Sequence, residues 1–139
     1  MKWIVKSAII ISSFVFVDGC KTDKPDIVHY GNIVEVTDEN YTSLLNSDKL
    51  LILYFKMHNC IYCAGMEPVI DKIAAKYFCN ITIGKVNIED ALNSTKVYGV
   101  TSFPTTFFLL NGTVVDTIVG SYGLTEVENV TKKYVGLCE

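Results

Sequence analysis

Leu50-Leu51-Ile52-Leu53-Tyr54-Phe55, then Lys56-Met57-His58-Asn59, then Cys60-Ile61-Tyr62-Cys63-Ala64-Gly65-Met66-Glu67-Pro68: the reading of this stretch decides the fold. The first six residues form an apolar, β-branched and aromatic block short enough to be a buried strand. Beyond the second cysteine, Met66, Val69, Ile70, Ile73 and Tyr77 recur at helical spacing. The two thiols therefore sit where a buried strand gives way to the start of a helix. The first turn of a helix has unpaired N–H groups and the positive end of the dipole, and both favour an anion. A thiol placed there ionises more readily, and thiolate is the form that attacks. Cys60 is expected to be the attacking sulfur. Cys63, one turn on and on the same face, is placed to resolve the mixed disulfide. A lone CxxC also reads as half a zinc site, with His58 as a third ligand. A closed zinc site needs four ligands, and neither a second CxxC nor a His cluster appears, so no metal is expected.

Outward from this centre the chain has 139 residues, half of them apolar and 19% charged, which suits one domain able to bury its own core. A net charge of −3 argues against nucleic acid as a partner. Residues 1–19 read as a signal peptide or signal anchor: Lys2 and Lys6 precede the apolar run Ala8 to Val17, which is short for a membrane span. With cleavage there, no membrane span is expected in the mature chain. Residues 20–31 form a polar leader and a first strand, and 32–139 the folded domain. Gly19-Cys20-Lys21 is also similar to the end of a bacterial lipoprotein signal, where Cys20 would take lipid, although Asp18 fits that pattern poorly. Five Asn-x-Thr sequons, at Asn40, Asn80, Asn93, Asn111 and Asn129, favour instead a secretory-pathway glycoprotein, in the endoplasmic reticulum lumen or exported.

Strands are expected at Ile27–Tyr30 and Ile33–Val36, then a short helix after the capping residues Thr37-Asp38-Glu39-Asn40. A strand over Ile81–Ile88 follows the long helix, and Glu89-Asp90 opens a third helix that stops near Gly99. Two strands, Thr105–Leu110 and Thr113–Val119, flank Asn111-Gly112, a strong hairpin signal. A last helix from Leu124 is expected to carry Val127, Val130, Tyr134 and Leu137 on one side. The order β-α-β-α-β-α-β-β-α implies an α/β fold with a mixed sheet and helices on both faces.

From about Val34 to Tyr134 the chain resembles thioredoxin and the single domains of protein disulfide isomerase. Its marks are the CxxC at the head of a helix, Pro68 eight residues after Cys60, and Tyr98-Gly99-Val100-Thr101-Ser102-Phe103-Pro104-Thr105. Gly120, Asn111-Gly112 and Lys85-Val86-Asn87-Ile88 match as well. The resemblance implies a thioredoxin fold and a thiol–disulfide oxidoreductase acting on protein dithiols and disulfides. It implies no cofactor beyond the redox-active disulfide, with electrons from a partner dithiol or glutathione. It also implies a cis peptide bond at Pro104 and a substrate strand paired to the backbone of Phe103. A monomer is expected.

The departures from the family concern tuning. Tyr54 stands where the family keeps a buried acid, and a phenol is a poor base near neutrality. Lys85 matches the lysine that accompanies that acid, either as a catalytic group or as a stem lining the sheet. Asn59 and Lys56 replace the family's tryptophans. Tyr62 and Ile61 lie between the sulfurs, and His58, as an imidazolium, would favour the Cys60 thiolate. These changes keep a second reading open: a binding or chaperone module with a secondary redox pair. By the resemblance, the helices before Cys79 and Cys138 cover one face and end together. A structural Cys79–Cys138 disulfide is therefore expected, and it needs an oxidising compartment.

Overall fold

A computed structural model describes residues 32–137. The leader, the expected strand Ile27–Tyr30, Cys20 and Cys138 lie outside the described residues. Within them the order is β1 (Ile33–Val36), α1 (Tyr41–Leu44), β2 (Leu50–Lys56), α2 (Ile61–Lys76), β3 (Ile81–Asn87), α3 (Leu92–Val97), β4 (Thr105–Leu110), β5 (Thr113–Val119) and α4 (Leu124–Thr131). This is the expected sequence of elements. The five strands form one sheet in the order β1-β3-β2-β4-β5. β1, β3 and β2 run parallel, and β4 and β5 are antiparallel to their neighbours.

β2 lies at the centre, which explains its unbroken apolar run. Leu50 to Phe55 are all buried because both faces of the strand are covered. Its even-numbered residues Leu50, Ile52 and Tyr54 pack with Ile81, Ile83 and Phe108 against Met66, Ile70 and Ile73 of α2, Tyr77 at its C-cap, and Val127 of α4. Its odd-numbered residues Leu51, Leu53 and Phe55 pack with Val86 and Leu109 on the other face, beneath Tyr41 and Leu44 of α1 and Tyr98 after α3. Gly84 lets the layers close on that second face, since a Cβ there would stand 2.7 Å from Leu53 Cδ2 and 2.8 Å from Val36 Cγ2.

Asn111 and Gly112 both have positive φ, 49° and 75°, as a two-residue hairpin of the primed type needs. β5 is one of the two outer strands of the sheet. Phe108 pairs with Asp116 but Leu109 pairs with Val114, so Val115 is an extra residue in the ladder. Asp116 there is tied to Lys133 at 2.9 Å. Two boundaries differ from the sequence reading. Glu89 and Asp90 form a turn, with α3 beginning at Leu92, and α4 stops at Thr131. Leu137 is therefore beyond the helix and 56% exposed. Its spacing continued the helical period, but the helix has ended before it and the side chain stays largely exposed.

Candidate active site

Cys60 is the N-cap of α2, in extended backbone conformation, and its Sγ accepts the N–H of Cys63 at 3.1 Å. The two are joined as a disulfide with Cα atoms 5.2 Å apart. They are not equivalent. Cys60 is half-buried, whereas Cys63 is 4% exposed and faces the sheet. An approaching chain meets Cys60 first. The same N–H groups and dipole that hold this sulfur would favour its thiolate. Ile61 and Tyr62, 80% and 68% exposed, project outward from the first turn of the helix.

The register brings the other half of the site alongside. Thr105 pairs with Phe55, so Pro104 stands at the end of the sheet from which the chain runs into Cys60. The Phe103–Pro104 bond is cis, Pro104 is buried and Phe103 half-buried. Pro104 O accepts the N–H of Gly120 at 2.8 Å, which fastens this loop to the end of β5. The next residue, Ser121, borders α2, since a Cβ on Gly65 would lie 3.7 Å from its Oγ. Helix start, proline loop and β5–α4 turn thus meet at one end of the sheet.

Behind the sulfurs a polar row crosses the sheet on the α2 face: Glu35 pairs with Lys85, Lys85 with Tyr54, and Tyr54 with Thr106. Tyr54 is fully buried and its OH donates to the carbonyl of Cys63 at 2.9 Å. Burial, together with the charges of Glu67 and Asp71, holds its phenol well above the usual range. Tyr54 is thus a clamp on the helix backbone and cannot act as a base. Thr106 Oγ1 is buried without a partner among the described residues.

Lys85 supports ion pairs rather than only lining the sheet. Its Nζ lies 2.8 Å from both Glu67 Oε2 and Asp71 Oδ1. Glu67 Oε1 also takes Lys56 at 2.7 Å. Burial works to raise the Glu67 carboxyl, but Lys56 and Lys85 outweigh it and hold it below the usual value. Burial likewise works against the Lys85 charge, and Asp71 and Glu67 prevail. Sequence reasoning missed Glu67. Its signal was its place four residues after Cys63, one turn along the same helix face.

A groove of about 570 Å³ opens beside the disulfide, walled by Glu35, Lys56, His58, Glu67, Asn87 and Asp90 with both cysteines at its margin. His58 Nδ1 lies 3.3 Å from Glu89 Oε2 and 3.0 Å from Asn87 Nδ2. One nitrogen cannot donate to the first and accept from the second at once, so the ring's protonation chooses between them. Among the described residues, no three His, Cys, Asp or Glu side chains are grouped to hold a metal ion, and no helix is long and apolar enough to cross a membrane.

Of the sequon asparagines, Asn93, Asn111 and Asn129 are exposed, while Asn40 and Asn80 are half-buried. The side chain of Asn40 bridges Glu35 O and the N–H of Thr37, and Asn93 Nδ2 donates to Asp38. Asn80 Nδ2 donates to Gly136 O at 2.9 Å, bringing the end of the described chain to the end of α2. Cys79 is itself disulfide-bonded, and its expected partner Cys138 lies outside the described residues.

The thioredoxin family model matches residues 32–133. The chain belongs to the thioredoxin family. Among its relatives, thioredoxin 2 of Chlorobaculum tepidum is 32% identical over 107 residues, covering 76% of this chain and 98% of that protein. The thioredoxin of Buchnera aphidicola is 32% identical over 97 residues, covering 69% and 90%, and that of Porphyra purpurea 30% over 105, covering 75% and 98%. As a thioredoxin-family thiol–disulfide oxidoreductase, the protein acts on protein disulfides through the Cys60–Cys63 pair and needs no cofactor.

Proposed function

We propose that the protein exchanges disulfides with protein substrates inside the secretory pathway, as a reductase or isomerase of the disulfide-isomerase type. The unequal exposure of the two sulfurs carries the mechanism. The Cys60 thiolate attacks a substrate disulfide, the S–S bond breaks, and the leaving thiolate takes a proton from water. A mixed disulfide now joins substrate and Cys60. Cys63, once deprotonated, attacks Cys60 Sγ, closing the Cys60–Cys63 bond and releasing the second substrate thiol. Two electrons pass to the substrate, and a partner dithiol or glutathione restores the pair. Phe103 presents its backbone to the substrate strand and Pro104 holds that loop in place.

Three observations support the compartment: the apolar, Lys-flanked segment 1–19, the five sequons, and a disulfide at Cys79 in addition to the redox pair. The contact between Asn80 and Gly136 supports Cys138 as that partner, since it lies two residues beyond Gly136.

The test is insulin reduction by the dithiol form. Cys60→Ala abolishes it, and Cys63→Ala accumulates mixed disulfides that resolve only with added thiol. Full activity in Cys60→Ala would refute the assignment. Expression in a eukaryotic cell should give a product that shortens on glycosidase treatment, and unmodified cytosolic protein would overturn the compartment. Tyr54 favours a second reading. With its OH committed to the Cys63 carbonyl, the phenol in place of the family's buried acid is no base for the second sulfur, as suits a binding module. A Cys60/Cys63 couple that fails to cycle within roughly −270 to −180 mV would support that reading.

A further inference from the structure

We infer that the buried hydroxyl of Thr106 is the hydrogen-bond partner of the Cys63 sulfur in the dithiol form, a contact made only while the Cys60–Cys63 bond is open. The inference rests on that pair cycling between disulfide and dithiol.

A buried hydroxyl ordinarily has a partner within the fold. Thr106 is 0% exposed, yet its Oγ1 has none among the described residues. On β4 it stands between Tyr54 of β2 and Ile118 of β5, and it shares with Tyr54 the face that α2 covers. Tyr54 reaches from this row to the carbonyl of Cys63, so the row lies beneath the first turn of the helix. Cys63 is 4% exposed and faces the row. The neighbouring polar groups are already committed. Tyr54 donates to the Cys63 carbonyl, Lys85 holds Glu67 and Asp71, and the N–H of Cys63 is given to Cys60 Sγ. Thr106 keeps one donor and two lone pairs in hand.

In the disulfide form each sulfur is satisfied by the other. Reduction changes that. Two glutathione thiols break the Cys60–Cys63 bond, supply two electrons and two protons, and leave as glutathione disulfide. The freed sulfurs separate, Cys60 Sγ toward solvent and Cys63 Sγ toward the sheet, where Thr106 stands. As a thiol, Cys63 donates to Thr106 Oγ1. When that proton passes to water, the hydroxyl turns and donates to the thiolate that attacks Cys60 in the resolving step. A buried thiolate without a donor would be far less stable. The hydroxyl thus favours the dithiol over the disulfide, which raises the reduction potential of the pair.

The experiment compares the unaltered full chain with Thr106→Val, which keeps the shape and drops the hydroxyl, and Thr106→Ser, which keeps the hydroxyl. Each is equilibrated in glutathione buffers, alkylated, and the dithiol fraction of the Cys60–Cys63 peptide is read by mass. The glutathione ratio needed for half-reduction should rise about tenfold in Thr106→Val, a potential about 30 mV more negative, and by less than about twofold in Thr106→Ser. Denaturant unfolding gives a second readout: Thr106→Val should weaken the dithiol form and leave the disulfide form as stable or more so. A Thr106→Val midpoint within about twofold of the unaltered chain overturns the inference. So does an equal shift in Thr106→Ser, or equal destabilisation of both redox forms, since either assigns the effect to packing. An unaltered chain whose pair never equilibrates with glutathione fails earlier: the redox cycle itself is then wrong, and the part given to Thr106 falls with it.

Discussion

The two faces of the sheet are built on different terms. The α1/α3 face is mainly apolar and aromatic: Phe55, Tyr98 and Phe107 cluster with centroids 5.1 to 5.6 Å apart, and Tyr41 meets Tyr98 edge-on. The α2/α4 face is apolar only at its far end. Toward the cysteines it turns into the row Glu35, Lys85, Tyr54 and Thr106, with Glu67 and Asp71 facing it from α2. One face is spent on stability. The other accepts the desolvation of charged groups so that polar chemistry can stand behind a sulfur.

The largest effect expected from breaking this contrast is on the aromatic face. Phe55→Ala should cost about 3–5 kcal/mol in denaturant unfolding, while the surviving folded fraction still reduces insulin at the normal rate per molecule. On the polar face, Lys85→Met leaves Glu67 and Asp71 sharing negative charge. A loss of about 1–3 kcal/mol is expected, lessened by the partial exposure of both carboxylates. Insulin turnover should fall with it, and an unchanged rate would mean that the network serves packing alone. Tyr54→Phe should cost about 1 kcal/mol, with faster amide exchange confined to the first turns of α2.

Acid should discriminate between the faces without any substitution. Hydrogen bonds from Lys76 and Tyr77 push the Glu128 carboxyl down to about 2, and Glu67 is lowered as well. Both bind protons more weakly when folded than when unfolded. Their stabilisation is therefore complete above the ordinary carboxylate value of 4.5 and is lost as pH falls through the folded values. Between pH 4.5 and about 2, amides of α2 and α4 should lose protection before those of β2 and β3, and Glu128→Gln should flatten that pH dependence. The smallest effect belongs to the outer strand β5: Val119→Thr, at a position 56% exposed, should shift stability by no more than about 0.5 kcal/mol.

The aromatic face was easy to anticipate, because a buried central strand announces itself as a run and a primed hairpin as Asn-Gly. CxxC at a strand-to-helix junction likewise marked the reacting sulfurs. The polar row was not visible in the same way. Glu67 meets Lys85 across 18 residues and Lys56 across 11, and no local period records such pairings. Tyr54 stood out as the residue in place of the family's buried acid, but only the position of Cys63 above it shows that its hydroxyl holds the helix backbone. The end of α4 was missed for a related reason: Leu137 keeps the helical spacing but lies beyond the helix, more exposed than covered.

The extra residue at Val115 has a consequence for crowded solutions. Beyond it, the outer rim of the last strand presents its donors and acceptors out of step, with the Asp116–Lys133 pair close behind. Another copy arriving alongside would find no continuous ladder to zip onto. Concentrated samples should therefore stay clear where a flat rim of the same valines would seed fibres.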